Sequence, residues 1–513
     1  MDDTTTTPPA SGAGGPALTE TPLFAGYRPA DPGIGGSSDA EFRRLSVFDR
    51  PTMAAHRAAV PPTTEVDWAQ VVELRRLASA AITEEAEAQQ ARTGIPLTEA
   101  DRVLLGRSLI RRIVGDHVRS LHRSGAELWS TAQEEDYVQA VEDAVFRYGR
   151  LQPLLQLPDV ENIEINGWDC VMVQYGDGRR ERMPPVADSD AELVDAIRFL
   201  GQNSRPSRPF DDAHPTLTLA LGERFRLHAI GFGLSHRPSV VIRQHLLTSV
   251  TLGDLVHGGM LPLEVAQFLD AAVLARKSMV ISGDQGAGKT TLLRALISSI
   301  PLTERFGTLE TDYELMTHLQ PGREQILALQ ARVGHGETAG GAAVGEFGLS
   351  ELMPEALRQN LTRLIVGEVR GREAAAMFEA AQTGLGTLST THSHSAESTI
   401  DRLASRVAQG GVLTIEEAYR QIAYNLDLLI HVALVDDTWK GGRRRRYVAE
   451  IRQVTRALEN QRPVTHLTYR APDDRVGTDP AGFFPDPGLQ TELARFRRPL
   501  PEPVAESDGT VPG

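Results

Sequence analysis

Lysine is nearly absent from this chain. Of its 513 residues 53 are basic, and only Lys277, Lys289 and Lys440 are lysine, which leaves 50 arginines. Cysteine is scarcer still: Cys170 stands alone, which excludes an intrachain disulfide and a thiolate metal cage and fits a reducing compartment. No apolar run approaches the roughly 20 residues of a membrane-spanning helix; the longest, from Leu426 to Val435, reads as a buried strand. The N-terminus is acidic and polar where a secretory signal is basic and then apolar. Positive charge is also lacking, since the net charge of −15 argues against a nucleic-acid binder that relies on overall charge. These absences predict a soluble, cytoplasmic protein with no direct membrane insertion and no nucleic-acid partner.

What is present is an ordinary globular composition, 41% hydrophobic and 24% charged, over a length that normally makes several domains. Residues 1–65, rich in Pro, Gly, Thr and Ser without a period, read as a disordered arm. Residues 66–133 carry helical spacing, through Trp68, Val71, Val72 and Leu74 and then Val103, Leu104, Ile110, Ile113 and Val114. Over residues 134–245 short strands and a helix predict a smaller α+β domain, with a hairpin turning at Gly176-Asp177-Gly178. A linker is expected at Leu246 to Ser249. Residues 246–455 alternate strand and helix and predict a largely parallel α/β sheet, with strands in "SMVISG", "FGTLET", "RLIVGEV", "GTLSTTHS" and "LLIHVALV". Residues 456–513 read as a Pro-rich, loosely docked C-terminal tail.

One of the three lysines sits in a glycine-rich loop. Gly283-Asp284-Gln285-Gly286-Ala287-Gly288-Lys289-Thr290 satisfies G-x-x-x-x-G-K-[ST], after the strand "SMVIS" and before the amphipathic helix "TTLLRALISSI". Glycines let backbone N–H groups turn inward around phosphate oxygens, and the helix points its positive end at them. Lys289 brings a point charge to the β and γ phosphates, the Thr290 hydroxyl ligates Mg²⁺, and Thr291 completes the candidate binding set. An arginine fork is planar and bulky, whereas the nest admits a slim ammonium, so the loop chemistry overrides the chain's preference for arginine. Lys277 and Lys440 read as surface residues.

Ligands of such sheets sit at the carboxyl ends of the strands. Those ends carry Glu310 and Glu314 after "FGTL", Glu368 after "RLIVG" and His392 after "LSTT". A strand-end carboxylate such as Glu368 can orient Mg²⁺ or polarise an attacking water. The basic stretch "KGGRRRRY" reads as a solvated turn between edge strands, because arginines without interleaved aromatics make a poor stacking platform for bases.

From about Tyr148 to Val454 these motifs resemble the type II/IV secretion-system ATPases, and among them the CpaF-like tight-adherence (Flp) pilus assembly ATPases. "FRYGRLQPLLQLPDVENIEING" is similar to the opening of that family's N-terminal domain, "RLIVGEVRGREA" to its Walker B segment and "TGLGTLSTTHSHSAESTIDRL" to its histidine box. The resemblance implies a RecA-like P-loop core behind the α+β domain, ATP and Mg²⁺ as cofactors, and a homohexamer working on inner-membrane platform proteins from the cytoplasmic face. It implies that Glu310 and Glu314 form the acidic box, that Glu368 activates water, that His392 couples phosphate state to movement, and that Arg243 closes over nucleotide from the domain junction; Arg224 and Arg226 are further candidates for that closing role. The sequence departs from the family pattern at Thr311, where the acidic box usually has aspartate, at Asn360 and Leu361, usually Arg and Pro, and at Ala220, often Arg. A conjugative or type IV secretion ATPase, and a nucleotide-gated scaffold with little turnover, are the alternatives.

Overall fold

The computed structural model describes residues 66–500 apart from 124–128, 205–206, 223, 245–248, 321, 333–334, 340–341, 370–372, 383, 412 and 473–480. The arm expected over residues 1–65 and most of the linker expected at 246–249 lie outside the described residues.

Helices α1 (Trp68–Thr93), α2 (Glu99–Arg123) and α3 (Thr131–Phe146) form a bundle. Asp67 starts α1 by accepting the Ala69 N–H. Val71, Leu74, Ala78 and Ile82 recur every three or four positions, so one buried stripe of α1 meets Ile110 and Val114 of α2 and Tyr137 and Val141 of α3. The third helix occupies a stretch expected to open the strand-rich domain. Tyr137 and Val141, four apart on one face, give it to the bundle, which therefore extends to Phe146.

A short helix α4 (Gln152–Leu155) leads into β1 (Val160–Asn166), β2 (Val171–Tyr175), β3 (Arg180–Met183), α5 (Asp190–Gln202), β4 (Thr216–Leu221), β5 (Phe225–Ile230) and β6 (Ser239–Gln244). The strands make one antiparallel sheet in the order β3-β2-β1-β6-β5-β4. Alternate residues such as Ile163, Ile165, Leu227 and Ile242 face Leu193 and Ile197 of α5 across a dry core. The opposite face carries polar residues, and it is this face that supplies side chains to the site.

The third unit comprises α6 (Leu252–His257), α7 (Leu263–Leu274), β7 (Met279–Gly283), α8 (Lys289–Ser298), β8 (Phe306–Glu310), β9 (Ile326–Gln330), β10 (His335–Ala339), β11 (Ala342–Val344), α9 (Leu349–Leu357), β12 (Arg363–Val366), α10 (Glu373–Gln382), β13 (Gly386–Thr391), α11 (Ser398–Gln409), α12 (Ile415–Asn425), β14 (Leu428–Asp436), β15 (Arg444–Glu459), β16 (Arg462–Arg470), β17 (Gly482–Phe483) and α13 (Pro487–Ala494). Nine strands run in the order β17-β16-β15-β14-β7-β13-β12-β8-β9, and β10 pairs with β11 apart from them. The six from β14 to β9 are parallel. Every residue of β7 is buried, as expected of a strand covered on both faces: α6, α7 and α8 pack over one face and α9 to α12 over the other. Among the described residues no helix is long and apolar enough to cross a membrane.

The C-terminal segment differs from the loose tail expected of it. β16 pairs antiparallel with β15 between Glu450 and Glu459, so that part of the strand is interior, while the arginines at its start, Arg444 to Arg446, pair with β14. Leu489 and Leu493 of α13 join the core that contains α7. Arg498 then donates two bonds, of 2.9 and 3.0 Å, to Asp270 of α7 and a third to the Ser299 carbonyl. Proline in this segment marks the start of a helix, at Pro487, a position that suits it. Lys277, expected at the surface, is only 12% exposed in its side chain and is ion-paired at 2.9 Å with Glu492 of α13. Asp270 is 1% exposed, so Arg498→Ala strands a buried carboxylate. We expect it to lower the unfolding free energy in urea by about 3 kcal/mol, and adding Asp270→Leu to recover most of that loss.

Candidate functional site

The glycine-rich loop joins β7 to α8 between the strand neighbours β13 and β14. Gly283 passes so close to β14 that a Cβ there would lie 2.3 Å from the Val432 carbonyl oxygen, which leaves glycine as the residue that fits. Gly288 caps α8 in the left-handed region, at φ 95°. Asp284 and Gln285 are exposed, Gly286 is half-buried and Ala287 is buried; Thr290 and Thr291 lie half-buried in the first turn of α8. The Lys289 ammonium, in a residue only 8% exposed, donates to the carbonyls of Gly283 at 3.0 Å and Asp284 at 2.8 Å. Burial pushes its pKa down to about 8, Glu368 pulls it back up, and the charge of Arg243 pushes it down further. An anion placed beside the ammonium would reverse this penalty.

Two further strand ends meet this lysine. His392, just past β13, lies 3.3 Å through Nδ1 from the Lys289 ammonium and 3.3 Å through Nε2 from Oε1 of Glu368, just past β12. Glu368 is held from both sides: Thr390 of β13 donates its hydroxyl to the Gly367 carbonyl at 2.7 Å, and Thr391 donates to the Val369 carbonyl at 3.2 Å. His392 thus bridges Lys289 and Glu368. His394 points elsewhere, 94% exposed and 3.5 Å from Asp284.

The acidic residues after β8 separate into two groups. Glu310 is 2% exposed, and its Oε1 accepts the backbone N–H groups of Glu314 at 2.9 Å and Leu315 at 2.8 Å. Among the described residues its Oε2 has no hydrogen-bond partner. Burial pushes its carboxyl up to about 7. Glu310 therefore shapes the turn that follows, and that turn presents Asp312 and Glu314 to the α+β domain. There Arg226 of β5 bonds Glu314 at 2.8 Å and pairs with Asp312 at 2.5 Å. Asp312, one place after Thr311, thus reaches the same arginine as Glu314.

Arg226 belongs to a cross-strand row on the polar face of the antiparallel sheet. Ala220 lies opposite Arg226, Arg226 opposite Arg243 of β6, and Arg243 opposite Asn162 of β1. Ala220, where an arginine was the family expectation, is thus one strand from an arginine that meets the acidic box, while Arg224 is exposed. Asn360 adopts φ 53°, a left-handed conformation that asparagine tolerates better than most residues, and Leu361 is buried in the core under β12.

One contact was not read from the sequence. Arg446 of β15, in the run that reads as a solvated turn, donates through Nε to the Gly286 carbonyl at 2.7 Å and through Nη2 to Glu161 of β1 at 2.8 Å. The available signal was strand alternation, which sends Arg444 and Arg446 to one face together. Among the described residues no three His, Cys, Asp or Glu side chains cluster to hold a metal by themselves.

Residues 186–466 match the family model described as type II/IV secretion system protein. A Mycobacterium tuberculosis (strain H37Rv) protein, whose name provisionally assigns it to conjugal transfer, is 30% identical over 327 residues, covering 62% of this chain and 87% of that protein. The type IV secretion system protein VirB11 of Brucella suis is 27% identical over 328 residues, covering 58% of this chain and 88% of its own. Among solved structures, the ATPase DotB of Legionella pneumophila aligns over 59% of this chain and 79% of its own, at 20% identity and a TM-score of 0.41.

Glu310 generates a pH dependence. Its folded pKa of about 7 lies above its ordinary 4.5, so its contribution to stability is complete below pH 4.5 and is lost as pH rises to about 7. Glu310→Gln keeps an oxygen for the two backbone donors and cannot ionise. Urea unfolding at several pH values should show the wild type losing up to about 3 kcal/mol between about pH 5 and about pH 8 relative to the variant.

Proposed function

We propose that this chain, which belongs to the type II/IV secretion system protein family, is an ATP-hydrolysing motor of a secretion or pilus-assembly machine. The observation that carries this reading is the bridge Lys289–His392–Glu368, with His392 3.3 Å from each of the other two. It sets a phosphate-binding cation beside a carboxylate able to take a proton from water, with an imidazole touching both. Mg²⁺ fits the oxygen donors Thr290 and Glu368 and would neutralise charge on the β and γ phosphates.

The residues then divide the work. Lys289 exchanges its two loop carbonyls for phosphate oxygens, and the N–H groups of residues 283–290 and the first turn of α8, with Thr290 and Thr291, surround them. Glu368, fixed by the threonines of β13, orients and deprotonates the attacking water. His392 loses or gains its bond to Lys289 as that ammonium turns to phosphate, and so reports phosphate state. Arg226 and Arg243 approach from the α+β domain. Arg226 exchanges between the acidic box and the nucleotide, and that exchange moves one domain against the other.

By resemblance the working unit is a homohexamer held at the inner face of the cell membrane by platform proteins, and the pilus-assembly branch is our reading of the machine. A second reading has one observation in its favour, the conjugal-transfer name of the Mycobacterium tuberculosis relative. Against direct contact with nucleic acid, Arg444 and Arg446 are already paired with Asp436 and Glu161. DNA-stimulated hydrolysis would favour the conjugative reading.

Glu368→Gln is expected to lower kcat by about 100-fold or more while nucleotide affinity stays within about threefold, and Lys289→Ala to abolish binding. Equal, near-zero phosphate release by wild type and Glu368→Gln would instead identify a nucleotide-gated scaffold.

A further inference from the structure

Arg446 engages three acceptors in two domains. Its Nε donates to the Gly286 carbonyl at 2.7 Å, its Nη1 to the Gly176 carbonyl at 3.1 Å, and its Nη2 to both oxygens of Glu161, at 3.0 and 2.8 Å. Arg444 reinforces the seam: its backbone N–H donates to the Asp177 carbonyl at 3.2 Å, and its guanidinium, paired with Asp436, lies 3.9 Å from Glu161. One guanidinium therefore ties the phosphate loop to β1 and to the β2–β3 turn.

The choice of Gly286 has a chemical consequence. In a phosphate nest the N–H groups face the anion. The peptide unit that ends in the Gly286 carbonyl also carries the Ala287 N–H. In this structure that N–H donates to the Asp284 carbonyl at 3.3 Å, so a cation on the Gly286 oxygen polarises the unit, strengthens its N–H as a donor and fixes the loop in place. Glu161, 13% exposed in its side chain, holds the guanidinium in this pose, and a lysine ammonium lacks the planar fork that spans these acceptors.

We propose that Arg446 is a positioning residue that links the phosphate affinity of residues 283–290 to the seating of the α+β domain, through Glu161 and Gly176. The link is reciprocal: nucleotide that favours the ordered loop favours the seated domain by the same factor. This inference rests on the nucleotide reading of the site.

The test uses the full chain with MgCl₂ and a fluorescent ATP analogue. Glu161→Gln keeps the side-chain shape, removes the charge and lies outside the phosphate loop. The analogue should bind about tenfold more weakly to Glu161→Gln and to Arg446→Lys, and no more weakly still to the double variant, because both substitutions break one link. In hydrolysis, KM should rise while kcat stays within about twofold. Bound analogue should slow amide exchange at the β2–β3 turn in wild type and do so less in Glu161→Gln. Wild-type affinity in Glu161→Gln, additive losses in the double variant, or a lower Tm with unchanged affinity and exchange would each overturn the link. Failure of the wild type to bind the analogue would overturn the nucleotide reading itself.

Discussion

A lysine only 8% exposed, its ammonium held against two carbonyls of its own loop, is the constraint on which the rest of this structure depends. Carbonyl dipoles offset part of the desolvation of Lys289 but do not neutralise it. The nearby charges compete: Glu368 favours the charged form and Arg243 opposes it. Such a group binds an anion more strongly than the same group in water would, because the interaction takes place in a medium of lower dielectric. The fold keeps it there with a fully buried strand on one side, a helix on the other, and a glycine pressed against β14. A chain that otherwise writes arginine keeps lysine where a fork has no room.

Arginine takes the complementary task of joining domains. Arg226 reaches from the antiparallel sheet to the acidic box, and Arg446 reaches from the parallel sheet to Glu161. Each spans the seam in the opposite sense, Arg226 to the turn after β8 and Arg446, which also holds the glycine-rich loop, to Glu161. Planar forks suit this work because they hold several acceptors in fixed directions. The seam consists mainly of charge pairs and backbone contacts, and such a boundary permits relative motion more readily than a large apolar interface does.

The site was legible in the sequence where local pattern and chemistry coincide. The loop 283–290 announces itself by spacing, and Glu368 and His392 by standing at the ends of apolar strands. Their meeting with Lys289 follows from a parallel sheet that brings its carboxyl ends to one edge. Legibility fell where pairing across long sequence separation decides the outcome. Arg446 lies 160 residues from Gly286, and no local pattern names that partner. Asp312 meets Arg226 because the turn held by Glu310 aims it there. The placement of α3 with the bundle, and of β16 and α13 with the core, depended on which apolar face found a surface to cover.

The docked C-terminal segment bears on where this chain can be cut. β16 covers one side of β15 along most of its length, and the family match stops at residue 466, inside that strand. A fragment trimmed to the matched region would bare part of β15 as an open strand edge, a template for pairing with other chains. It would also remove Glu492 and Arg498, the partners of Lys277 and Asp270. A domain boundary placed beyond residue 498 keeps the sheet closed and both charges answered.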